Sequence, residues 1–152
     1  MKKSLILALC AIATLQVSAQ RWSETVHPAD EMQNTKEYIS YMYSDEKDNN
    51  FIYWSGSNGI RIINNEGLFD SDLHRSFKIQ IGYYDKTGKL IKKENKTLYL
   101  LKDDYQKAET SLFSTGKKVI DYIKNKDGYV RILAPQYQKI TPWEILVPCK
   151  KN

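Results

Sequence analysis

The stretch Phe77-Lys78-Ile79-Gln80-Ile81-Gly82-Tyr83-Tyr84-Asp85-Lys86-Thr87-Gly88-Lys89-Leu90-Ile91 decides the fold class. Phe77, Ile79, Ile81 and Tyr83 alternate with Lys78, Gln80, Gly82 and Tyr84. Successive side chains of a strand point to opposite faces, so this period of two predicts a strand with one buried face. Asp85-Lys86-Thr87-Gly88 has the chemistry of a tight turn closed by a glycine at positive φ. Leu90-Ile91 then opens a return strand.

Upstream, Phe51-Ile52-Tyr53-Trp54 faces Ile60-Arg61-Ile62-Ile63 across Ser55-Gly56-Ser57-Asn58-Gly59, the pattern of a second hairpin. Its glycines lack the Lys-Ser/Thr and helix start of a phosphate-binding loop, so the segment reads as a turn. Residues 38–43 alternate weakly and suggest an earlier strand; residues 44–50, SDEKDNN, read as a polar turn. Residues 20–36 are polar and read as an extended arm.

Downstream, Thr97-Leu98-Tyr99-Leu100-Leu101 is apolar on both sides, as a central strand is. Residues 103–113 fit helix and strand spacing equally. Residues 116–125 carry one apolar stripe, Val119, Ile120 and Ile123, and predict a helix stopped at Asp127-Gly128. Tyr129-Val130-Arg131-Ile132-Leu133 and Glu144-Ile145-Leu146-Val147 are further strands, joined by a loop over residues 134–142. Six to eight short strands with about one helix predict a mainly β domain. The architecture expected is a two-layer antiparallel β-sandwich with the helix packed at an edge or end. A lone antiparallel sheet with a helix on one face (α+β) is the alternative.

The chain has 152 residues, 41% hydrophobic and 27% charged, a composition that excludes disordered and fibrous classes. Residues 1–19 read as a cleavable signal peptide: Lys2-Lys3, an apolar run from Leu5 to Leu15, then Val17-Ser18-Ala19. That run is shorter than the ~20 residues a bilayer demands. No transmembrane segment is expected in the mature chain. Residues 20–152 then form one exported domain, periplasmic or extracellular, as in a bacterial envelope. It keeps 133 residues, a net charge of +3, and Cys149 alone of the two cysteines. Such a modest charge gives no support to nucleic-acid binding.

Two groups of residues bear on function. Tyr137, Trp143, Trp54 and Trp22 fall in or beside expected loops and strand ends, where amphipathic rings recognise ligands. Asp70, Asp72 and His74 are the one compact set of ligating side chains, short of the oxygen donors a calcium loop needs. No Gly-x-Ser-x-Gly elbow occurs, and no cofactor is expected. Lys89, Lys92, Lys93 and Lys96 make a basic stretch that suits a guarded edge strand. The reading that follows is a non-catalytic exported module binding a protein or a glycan. A small metal-dependent or hydrolytic enzyme built on Asp70, Asp72 and His74, and a structural or inhibitor-like envelope protein, are the alternatives.

Overall fold

The structure, a computed structural model, describes residues 21–111 and 114–151. The expected signal peptide therefore lies outside the described residues. Among the described residues nine strands appear: β1 (Trp22–His27), β2 (Tyr38–Ser44), β3 (Asn50–Trp54), β4 (Gly59–Ile63), β5 (Ser76–Tyr84), β6 (Leu90–Leu101), β7 (Asp104–Thr110), β8 (Tyr129–Ala134) and β9 (Trp143–Pro148). One helix, α1 (Lys117–Asn125), joins β7 to β8.

All nine strands form a single antiparallel sheet in the order β1-β2-β3-β4-β7-β6-β5-β8-β9. The mainly β class with one helix agrees with the alternating sequence. The two facing layers, however, are the two halves of one curled sheet. Trp143 on β9 donates its indole N–H to Asn49 Oδ1, just before β3, at 3.0 Å. Lys150, just past β9, sits over the rings of Trp22 and Tyr41, with Nζ 5.3 and 4.5 Å from their centroids. The strands at the two ends of the order thus meet through side chains across the concave face.

Alternation fills that concavity. Phe51 and Tyr53, Ile60 and Ile62, Ile79 and Ile81, Val130 and Ile132, and Ile145 and Val147 are all buried on it. Their outward neighbours are polar or half-exposed. Each fully buried aliphatic side chain contributes roughly 1.5–3 kcal/mol by leaving water, so this lining dominates stability.

Helix α1 is nine residues long, too short to persist alone. Packing holds it: Val119, Ile120 and Ile123 insert into the core at the end of the sheet where β5 runs out and β4 begins. Gly116 precedes the helix with no room for a side chain, since a Cβ would lie 2.6 Å from the Asn58 carbonyl oxygen. At the other helix terminus, Lys150 N–H donates to the Ile123 carbonyl at 2.9 Å, so the C-terminal segment satisfies an otherwise open acceptor.

Several local expectations change. Residues 22–27 of the arm pair along β2 as an edge strand, polar because both faces meet solvent. Residues 104–110 are β7, with Ala108 and Thr110 buried. The expected strands at Leu90 and Thr97 are one 12-residue strand, because β5 supplies a partner along its length. Lys92, Lys93 and Lys96 lie on the half of β6 that pairs with β5 alone, because β7 joins β6 only from Leu98 to Leu101. The turn at Asp85 forms as expected, with Gly88 at φ 86°.

Candidate functional site

At the sheet end opposite α1, three connections converge: residues 44–50, residues 64–75 and residues 135–142. Backbone hydrogen bonds lock the second between its neighbours. Phe69 N–H donates to the Tyr105 carbonyl at 2.8 Å, Asp70 N–H to Pro135 at 3.0 Å, and Tyr137 N–H to Leu68 at 2.9 Å. Asn64, fully buried, organises the preceding turn, its Oδ1 accepting from Glu66 and Gly67 N–H at 2.9 and 3.0 Å. Residues 68–70 are thereby tied to β7 on one side and to the 135–142 loop on the other.

That zipping fixes a cleft of about 320 Å³, lined by Leu68, Phe69, Asp70, Ser71, Tyr105 and Tyr137. Phe69 is its buried floor, stacked on Phe77 at 5.1 Å and edge-on to Trp143 at 5.3 Å. Tyr137 and Tyr105 are about half exposed, as is Leu68 between them. The Arg75 guanidinium lies 5.4 Å from the Tyr105 ring centroid and donates to the Leu101 carbonyl at 3.0 Å, bracing that wall. Asp70 also borders a shallower hollow of about 380 Å³ with Lys78, Gln80, Lys139 and Ile140. Leu73 and Ile140, at the tips of the same loops, are fully exposed. Leu68, Tyr105 and Tyr137 share the cleft and form its exposed apolar part.

Of the aromatic residues singled out from sequence, Tyr137 alone reaches this cleft. Trp143 is 1% exposed and has no free face to offer, because its position at the start of β9 points inward to the core. Trp54 lies on the outer face of the sheet toward the α1 end, with the Arg61 guanidinium 4.9 Å from its ring centroid. Arg61 in turn pairs with Glu109 at 2.9 Å. Trp22 packs on Tyr43 at 5.1 Å beneath Lys150. These rings occupy separate places and do not make one surface.

Asp70, Asp72 and His74 do not converge either. Asp72 Oδ1 accepts from His74 and Ser76 N–H at 2.8 and 3.0 Å, and its Oδ2 accepts from Ser76 Oγ at 3.0 Å. The Ser76 backbone donor, above all, holds the Asp72 carboxyl below its ordinary pKa. Its oxygens are committed to closing the turn into β5. Among the described residues no three His, Cys, Asp or Glu side chains gather as a metal site. His27, the other described histidine, sits on β1, bonded to Ser40 Oγ at 2.9 Å and stacked on Tyr38.

Cys149 is buried with Sγ 3.5 Å from the Tyr122 carbonyl. Burial pushes its thiol up to about 11, which removes nucleophilic character at neutral pH.

Sequence reading missed Leu68, Leu73, Tyr105 and Ile140. Apolar residues in polar loops carry no period, so only their exposure in three dimensions reveals them. No family model, curated protein or solved structure matches this chain, so the chemistry of the cleft itself carries the functional argument.

Proposed function

We propose that this protein is an exported, non-catalytic binding module that holds a polypeptide partner in the cleft between Tyr105 and Tyr137. Export rests on the sequence of residues 1–19. The observation that carries the binding reading is the exposure of Leu68, Tyr105 and Tyr137 on loops fixed by backbone hydrogen bonds. Tyrosines offer large, stiff contact area at little entropic cost, and a pre-organised loop loses little freedom on binding. A glycan would use the flat ring faces, whereas the aliphatic Leu68 beside them favours a protein surface.

The test is site-specific photocrosslinking in the producing cell, with the reactive residue at position 137 and a control at Lys93 on β6. A discrete adduct from position 137, absent from the control and lost on Tyr105→Ala and Leu68→Ala, supports the reading. Equal adducts from both positions, or none, defeat it. Melting temperatures of the Ala variants should stay near wild type, since these side chains are exposed.

A further inference from the structure

A second hollow lies at the other end of the sheet, between α1 and the first half of β6. Its volume is about 560 Å³, within the usual range of small-ligand sites, and its wall is dominated by apolar surface. The floor is the edge-to-face pair Tyr83 and Tyr122, with centroids 5.0 Å apart. Both phenol hydroxyls are already engaged. Tyr83 donates to Glu94 at 2.5 Å, and Tyr122 to the Tyr84 carbonyl at 2.7 Å. What the rings present to the hollow is therefore hydrocarbon.

The side wall comes from an irregularity in pairing. Tyr83 faces Lys92 and Tyr84 faces Leu90, leaving Ile91 as an extra residue in β6. Such a bulge re-aims a side chain, and here Ile91 and Lys92 both border the hollow. On the helix, Lys118, Asp121, Tyr122 and Asn125 are spaced three and four apart and form one stripe along the opposite wall, with Lys126 just beyond. Among the described residues Lys92, Lys118 and Lys126 make no ion pair. Three cations thus rim an apolar hollow whose one lining acid is Asp121; Glu94 nearby is occupied by Tyr83.

We infer that this hollow binds an anionic amphiphile, a single hydrocarbon chain ending in an acid group, with the chain on Tyr83, Tyr122 and Ile91 and the acid among the three lysines. Charge complementarity selects the occupant: an uncharged chain gains only the floor, and a cationic one is repelled. Lysine stems also extend the apolar contact while their ammonium groups meet the acid.

The probe is laurate below its aggregation concentration, titrated into the protein by calorimetry beside dodecanol and octanoate. Laurate should bind at least tenfold tighter than dodecanol. It should also bind more tightly than octanoate, by up to about fourfold for each added methylene buried. Lys92→Glu with Lys118→Glu should weaken laurate at least tenfold, and Ile91→Glu should abolish binding. All three substituted positions are exposed, so melting temperatures check that folding survives. Tyr137→Ala, at the far end of the sheet, should leave laurate binding unchanged, which separates this site from the tyrosine cleft. No laurate binding, equal affinity for dodecanol, or indifference to the lysine reversals overturns the inference. So does binding to anionic phospholipid vesicles without binding to monomeric laurate.

Discussion

Asn49 Oδ1 accepts the indole N–H of Trp143 at 3.0 Å, joining two residues 94 positions apart in the chain. The same oxygen accepts Asn65 N–H at 2.8 Å, and Asn49 Nδ2 donates to Asp45 Oδ2 and Glu66 Oε2 at 3.1 and 3.0 Å. This fully buried amide ties the β2–β3 turn and the β4–β5 connection to the start of β9. It is the polar clasp where the curled sheet meets itself.

Asn49→Ala should therefore cost about 3 kcal/mol in a urea unfolding titration, because it strands a buried indole donor. The clasp is also acid-sensitive. Hydrogen bonding from Asn49, more than the neighbouring Lys47, lowers the Glu66 pKa. A depressed carboxyl pKa contributes its stabilisation in full above the unfolded value near 4.5 and loses it progressively as pH falls through the lower folded pKa. The variant should show a shallower acid limb than wild type.

Two glycines should respond differently to alanine. A Cβ on buried Gly128 would run into the Tyr84 carbonyl oxygen, a backbone atom that cannot step aside. Gly128→Ala should lose about 3 kcal/mol. At Gly88 a Cβ meets nothing, and only the positive φ opposes it. Gly88→Ala should cost nearer ~1 kcal/mol, and paired thermal melts distinguish the two.

Alkaline pH should weaken the fold through Cys149. Its folded pKa of about 11 lies above the ordinary 9.0. Protonated burial therefore stabilises fully below pH 9, and the contribution drains away as pH rises from 9 toward 11. Burial also raises Tyr43, Tyr53, Tyr83 and Tyr122, which act in the same sense at higher pH. Cys149→Ala should flatten the earliest part of the decline in urea midpoints measured across this range. An unchanged slope would place the effect elsewhere.

Asp72→Ala should lower the melting temperature by releasing the turn into β5. Chelator should leave wild-type melting unchanged, because the Asp72 oxygens are filled by the His74 and Ser76 N–H groups and the Ser76 hydroxyl. A chelator-sensitive melt would revive a cation at this turn.

The strands were legible wherever one face is buried and the other wet, as in β5 and β9, because alternation is then imposed by solvent itself. The closing of the two layers into one sheet was not. Phe51 and Ile145 face the same core whether their strands belong to one sheet or two, and alternation records the core alone. β1 looks like an arm in the sequence because an edge strand open on both faces has no apolar period. At the cleft, Tyr137 stood out through its Pro-flanked loop. Tyr105 was hidden among residues that fitted helix and strand equally, and it came to the site only when β7 zipped against Phe69.

The strand order also dictates a sequence of events. β1 to β4 are consecutive neighbours, and β5 to β7 are likewise, but β4 meets β7 over the three rungs Arg61–Glu109, Ile62–Ala108 and Ile63–Lys107. The adjoining bond from Ile60 N–H to Thr110 Oγ1 spans 50 positions at 3.1 Å. Two local meanders can thus assemble cheaply, while their junction must wait for a large loop to close. Amide hydrogen exchange at Ile62 and Ala108 would then report on the joining of the halves, and protection there marks the step at which two sheets become one molecule.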